Sequence, residues 1–373
     1  MIPRIPMGEA AVWFENFLVD NFDFLFSFIR DVVNSIVGFI QNMLHLPVYW
    51  VAIAIALVAI LHLNKKTQIS SLTLGSIKLN KISASILYVV LTAILYIVLN
   101  LFLASYIAVN IAALALLFMV TKSTTIAAIQ VLSYGAAFLI ATLAPEVSSP
   151  FMFAAFIAYL SYVLSGKGVA IFAGLGILLI NNINLWSETV ETLSLILTST
   201  LLALLISIPL GILAAKNDRV DAILRPILDF MQTMPAFVYL IPAVVLFDIG
   251  YTPAAVATII FAMPPAIRLT NLGIRQVPQE LVEAGKAFGS TPTQMLFKIQ
   301  LPQAMPTIMA GINQCIMLSL SMVVIASMIG ARGLGSVVMR GVSQLETGVG
   351  FEGGIAVVII AIILDRLTQG VSK

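Results

Sequence analysis

Apolar and polar residues are not finely interleaved along most of this chain; they come in blocks. Long runs of Leu, Ile, Val, Ala and Phe recur from residue 47 to residue 370, and a helix needs about 20 such residues to cross a hydrocarbon core of about 30 Å. Helix is the expected form, because backbone in lipid has no water to satisfy it. The blocks predict eleven spans, near 47–63, 84–103, 105–121, 125–143, 149–165, 168–185, 189–215, 222–247, 252–273, 303–329 and 352–370. Ahead of them the pattern changes. Phe14, Phe17, Leu18, Leu25, Phe28, Ile29, Val32, Ile36, Ile40, Met43 and Leu44 recur at spacings near three and four, which predicts an amphipathic helix, broken near Asn21, lying along a membrane boundary. The rival is a twelfth span over 24–44, which would set Arg30 and Asp31 in lipid.

Composition agrees with the blocks. The chain has 373 residues, 60% of them apolar and only 10% charged, where a soluble domain carries about 25% charged residues; its mean hydropathy is +1.07. Placing the N-terminus outside leaves four of the 19 Lys and Arg residues outside, Arg4, Arg30, Arg332 and Arg340, and the other fifteen inside. That asymmetry orients the chain, with an odd number of spans and the C-terminus inside. The near-neutral net charge of +2 gives no reason to expect nucleic acid as a partner. A single cysteine, Cys315, excludes a disulfide framework, and His45 and His62 stand without a ligand cluster, so no metal is expected. The first apolar stretch is interrupted by Glu15, Asp20, Asp23, Arg30 and Asp31, unlike a cleavable signal.

One polar stretch interrupts the hydrophobic half. "EAGKAFGSTPTQMLFKIQLP", residues 283–302, falls on the inner side in this orientation. Pro278 starts a turn and Glu280 to Phe288 reads as helix, with small Ala284, Gly285, Ala287 and Gly289 leaving room for close approach by another protein. Thr291-Pro292 restarts a second short helix, Thr293 to Gln300, with Met295, Leu296 and Ile299 as its apolar stripe. Leu301-Pro302 is expected to end it before the next span. The product is a helix-turn-helix at the membrane surface, shaped to dock.

The spacing Glu283-Ala284-Gly285, Gly289, Ile299, Leu301-Pro302 resembles the "EAA" loop of ABC importer permeases, with Gly285 in place of the second alanine. The stretches 224–250, 259–314, 320–335 and 361–369 further resemble the permease subunit of the glycine betaine/proline importer, over about 187–373. The resemblance implies an all-α, polytopic membrane protein with a type I ABC importer permease core over 187–373, its coupling loop at 275–302, additional transmembrane helices over 47–186 and an extracytoplasmic arm over 1–46. It implies that Glu283, Ala284, Gly285, Gly289, Ile299, Leu301 and Pro302 couple the chain to an ABC ATPase subunit. It also implies an extracytoplasmic solute-binding protein, a second copy of the chain and membrane lipid as partners, in a bacterial inner (plasma) membrane. The implied function is ATP-driven import of a compatible solute, glycine betaine or proline. An importer for another small amine or amino acid, or an ion-coupled secondary transporter, remain the alternatives. The latter predicts paired intramembrane carboxylates or an inverted repeat, neither of which is seen.

A transport path needs helices that break or pivot. Pro226, Pro235 and Pro242 in one span and Pro264-Pro265 in the next each remove a backbone bond, and such breaks line cavities or pack against protein. Asp229 and Gln232 share a helix face, with Thr233, Met234 and Pro235 just beyond; Asn313 and Gln314 add polar groups from another span. These are the candidate path residues, although Asp229 lies one turn from Arg225 and a structural ion pair between them is an equal alternative. Asn313 and Gln314 have a bland alternative in helix-to-helix hydrogen bonds. Trp13, Trp50 and Trp186 fall on the outer side, as interface anchors rather than as a cage for a cation. "LSGKGVA" (164–170) lacks the glycine and hydroxyl of a phosphate loop. The chain is therefore expected to be no enzyme and to hold no cofactor, with ATP hydrolysed by a partner. "GARGLG" (330–335) does not join a strand to a helix and reads as an outer loop turning back against the binding protein.

Overall fold

The computed structural model describes residues 7–45, 72–74, 77–79 and 148–371. These are helical apart from a hairpin of two short strands, β1 (Leu72–Leu74) and β2 (Ile77–Leu79), paired antiparallel with Thr73 opposite Lys78. The spans expected at 47–63, 84–103, 105–121 and 125–143 lie outside the described residues, as do Trp50 and His62. The chain forms two compact units, residues 45–179 and residues 1–44 with 180–373. Helix α2 (Ser148–Ser165) gives way to α3 (Lys167–Asn182) at Gly166, whose φ of +95° lets its N–H reach back to the carbonyls of Ser161 and Tyr162.

The second unit holds α1 (Met7–Leu44), α4 (Trp186–Lys216), α5 (Asp218–Thr233), α6 (Ala236–Phe247), α7 (Tyr251–Arg275), α8 (Gln279–Ala287), α9 (Leu301–Ser327), α10 (Leu334–Ser343) and α11 (Thr347–Val371). Helix α7 packs along both α4 and α9. Lipid gives apolar helices little reason to prefer one another, so their association rests on close packing of small residues. Accordingly α7 buries Ala254, Ala255, Ala257, Ala262 and Ala266. A Cβ on Gly211 of α4 would lie 2.6 Å from Cβ of Thr270, and one on Gly311 of α9 3.0 Å from Cβ of Leu269. Hydroxyls add bonds across the same seams: Thr200 donates to Ser319 at 3.2 Å and Ser207 to the Met263 carbonyl at 3.2 Å.

Helix α1 is bent at Phe22 (φ −126°, ψ 15°), one residue from the expected break. Its second half is part of the unit's core. Val33 and Val37 are buried with Leu195, Ala254, Ala255, Ala326 and Ala331, Thr252 donates to Asn34 at 3.0 Å, and Arg30 pairs with Asp248 at 2.8 Å.

Among the described residues, the helices over Trp186–Lys216, Tyr251–Arg275, Pro292–Ser327 and Thr347–Gly370 are long and apolar enough to cross a membrane. The span expected at 222–247 is not one straight helix: α5 and α6 meet at 99°. The residue before a proline is driven out of the helical region, and Met234 is extended (ψ 134°) ahead of Pro235, which caps α6. The Tyr239 hydroxyl, donating to the Met231 carbonyl, ties the two arms. The other prolines expected to break helices do not. Pro226, Pro242 and Pro264-Pro265 lie within continuous helix, and the last pair is buried against neighbouring helices. Pro302 likewise ends nothing. A π-helical stretch, Met295–Gln300, runs directly into α9, and Pro302 sits in its first turn. The wider π turn gives the ring room where an α turn would press it on the carbonyl four residues back.

Candidate functional site

The loop at 275–302 is built by local chemistry. Helix α8 closes through Gly289 (φ +71°), with Ser290 N–H donating to the Gly285 carbonyl at 3.0 Å and Phe288 N–H to Ala284 at 3.0 Å, a glycine-terminated helix end. Thr291 and Gln294 then form a reciprocal capping box, with Pro292 at the first helical position. The single turn Pro292–Gln294 leads into the π stretch and so to α9.

The seven expected coupling residues divide by the way they face. Glu283 and Ala284 are exposed on α8, Glu283 accepting from Gln279 at 2.7 Å. Gly285 is buried. A Cβ there would meet Ile299 Cδ1 at 2.6 Å and Met295 Cε at 2.7 Å. Its smallness therefore serves contact with its own chain, not with a docking partner. Ile299 and Leu301 are half-buried, and Leu301 packs on a cluster of Ile274, Leu296, Ala304 and Ile308 that joins α7 to α9. Gly289 is the turn, and Pro302 is exposed. Residue typing alone missed two aromatic side chains on the outer face: Phe288 at 90% exposed and Phe297 at 62%. Their signal was available, since Phe288 directly precedes the turn glycine. Behind α8 lies a groove of about 750 Å³ whose walls include Lys216, Arg275, Lys286, Val282 and Met295.

The candidate path residues do not form one group. Gln232 and Thr233 end α5, exposed, and Met234 and Pro235 make the bend. Gln314 is exposed on α9. Asn313 is held by α11, donating to Asp365 at 3.1 Å and accepting from Thr368 at 2.7 Å. Asp229 pairs with Arg268 of α7 at 2.5 Å, not with Arg225; Arg225 bonds Asp221 at 2.6 Å within α5.

These pairs belong to a larger arrangement. Asp221, Arg225 and Asp229 recur every four residues along α5, and Arg268, Asn271 and Arg275 form a stripe at i, i+3, i+7 on α7. Asn271 donates to Asp221 at 2.7 Å. Arg275 bonds Asp218 at 2.7 Å, Asn271 at 2.8 Å and the Ala214 carbonyl of α4 at 2.8 Å, with Asp221 at 3.7 Å. The stripes flank a cleft of about 370 Å³. The tie at Asp221 is shielded, with that side chain 9% exposed, and the one at Asp229 is open, with that side chain 67% exposed. The guanidinium of Arg225 bonded to Asp221 holds that carboxyl below the usual carboxylate range against the opposing effect of burial, with Asn271 and Arg275 adding to the pull.

At the far end of the unit, the 330–335 loop is occupied by its own chain. Gly333 (φ +121°) lies against Thr192 and the Glu188 carbonyl of α4, Leu334 N–H donates to Thr192 at 2.8 Å, and a Cβ on Gly335 would fall 2.3 Å from the Val323 carbonyl oxygen of α9. The glycines seat the start of α10 between α4 and α9, so the turn there is also fixed by contacts within the chain.

Residues 207–373 match the family described as "Binding-protein-dependent transport system inner membrane component". The glycine betaine/carnitine transport permease protein GbuB of Listeria monocytogenes is 62% identical over 206 residues, 55% of this chain and 73% of that one. The glycine betaine transport system permease protein OpuAB of Bacillus subtilis is 56% identical over 57% of this chain and 76% of its own. The glycine betaine/proline betaine transport system permease protein ProW of Escherichia coli is 55% identical over 58% of this chain, which spans 61% of the length of that relative.

Proposed function

This chain belongs to the family of binding-protein-dependent transport system inner membrane components, and from that premise we propose that it is the membrane subunit of an ATP-driven importer of a compatible solute, glycine betaine or proline. The observation that carries the reading is the fixed presentation of α8. Its helix end, capping box and Gly285 contact hold one face against Met295 and Ile299, and leave Glu283, Ala284 and Phe288 projecting. A rigid small helix with an exposed aromatic anchor is what a partner's cleft engages. In this reading α8 lies in the cytoplasm, docked in an ABC ATPase subunit, and its movement on ATP binding is passed to α9 through Met295 and Ile299 and to α7 through the short link at residues 276–278. The path runs beside the α5–α6 bend, where Gln232, Thr233, Met234 and Pro235 stand, with Asn313 and Gln314 on α9. An extracytoplasmic binding protein delivers the solute, a second copy completes the path, and the eleven-span topology has its N-terminus outside. ATP is hydrolysed on the partner.

The test is reconstitution in liposomes with the partner ATPase and binding protein, followed by ATP-dependent uptake of labelled glycine betaine. Uptake that needs both partners supports the reading. A complex that forms and hydrolyses ATP without moving glycine betaine or proline rejects the solute, and a chain that recruits no ATPase rejects the reading of α8.

A further inference from the structure

Two routes lead out of α8. One is packing: Gly285 on Met295 and Ile299, hence into α9. The other is polar and begins at the last residue of α7. Three residues separate Arg275 from α8, and in this link Gln276 N–H donates to Leu272 at 2.9 Å and Val277 is buried, so the end of α7 is joined to α8 by a short, packed connection. The guanidinium of Arg275 bonds α4 at the Ala214 carbonyl and α5 at Asp218, and through Asn271 it closes on Asp221. A single side chain thus joins three helices where α7 hands over to α8. Arginine suits this place because its planar fork presents several donors at fixed angles. Helix α5, of 16 residues, is about 24 Å long at 1.5 Å per residue. It carries the tie at one end and the Met234-Pro235 bend at the other.

We propose that Arg275 is a positioning residue for transport: it makes α5 follow α8, so that movement at the ATPase contact reaches the bend between α5 and α6. The inference rests on the reading of α8 as the ATPase contact. Without Arg275, α8 still docks and α9 still follows it, but the start of α5 loses its bond to the end of α7 and to α4 through this side chain, keeping the Asn271–Asp221 and Arg268–Asp229 bonds to α7, and hydrolysis runs with much less import.

The test is the ratio of solute imported to ATP hydrolysed, measured in liposomes with the ATPase and binding protein present. Arg275→Gln is expected to leave hydrolysis within about twofold of wild type and to lower the ratio about tenfold, the size of an ordinary coupling between sites. Asp221→Asn, of nearly the same size, is expected to lower it in the same direction and decides the matter if Arg275→Gln fails to assemble. Arg225→Gln, whose bond stays within α5, is expected to keep the wild-type ratio. An unchanged ratio in both Arg275→Gln and Asp221→Asn, or uptake and hydrolysis falling in proportion, overturns the relay while leaving the importer standing. A wild-type chain that recruits no ATPase overturns the importer reading, and the relay with it.

Discussion

Gly285 and Gly335 are both buried glycines, but they meet different neighbours. The atoms that crowd a Cβ on Gly285 are the free ends of Ile299 and Met295, which can swing aside. Gly285→Ala trades that small shift against the better helix propensity of alanine and is expected to change stability by less than about 1 kcal/mol and to keep ATPase coupling, read by thermal unfolding in detergent and by uptake. Gly335 faces backbone, the Val323 carbonyl. Gly335→Ala forces α10 away from α9 and is expected to cost about 1–3 kcal/mol, seen as a lower Tm. Asp221 offers a test by pH. Its folded-state pKa is depressed, so its contribution to stability is present above the unfolded value of about 4 and is lost as pH falls through the folded value. The Tm difference between wild type and Asp221→Asn should be steady from about pH 7 to about 5 and shrink below about 4. The turn at Gly289 was legible in the sequence because it depends on residues within a few positions. The partner of Asp229 was not, since Arg268 lies 39 residues away and Arg225, four away, looked equally suitable.

At the level of elements, proline shows how far sequence reaches. Each proline inside a described helix removes a donor, yet Pro226, Pro242 and Pro264-Pro265 leave their helices continuous, while Pro235, between α5 and α6, coincides with a bend, because Met234 is extended and Tyr239 secures the new direction. Pro264 and Pro265 sit in α7 between helices packed on either side, and the packing holds the helix through them. In the proposed reading, helix α8 acts through its exposed face. Phe288→Ala is expected to weaken association with the ATPase at least tenfold, as loss of a central aromatic anchor does, without altering the Tm. Glu283→Lys is expected to leave the folded chain intact while uptake per ATP hydrolysed falls. Normal transport by both variants, measured in the reconstituted system, would remove α8 from the ATPase contact.

For the molecule as a whole, the amphipathic segment at the start is an integral part of the packing of its unit. Deleting residues 1–44 uncovers the Ala254, Ala255 and Ala326 surface that Val33 and Val37 bury, and the yield of monodisperse protein on size exclusion should fall sharply. Four spans of the 187–373 half, the helical character of α1 and the turn between α8 and the short helix that follows it came from the sequence alone. Their causes are local: apolar run length against the thickness of lipid, and hydrogen bonds between residues a turn apart. Only the tertiary structure decided that Gly285 looks inward while Phe288 looks out, that α5 and α6 part at Pro235, and that Arg268 and Arg275 tie α7 to α5. Each of these depends on which distant helix comes to lie alongside, and in a bundle of uniformly apolar helices that choice is made by small-residue contacts and scattered polar pairs, which no local pattern encodes.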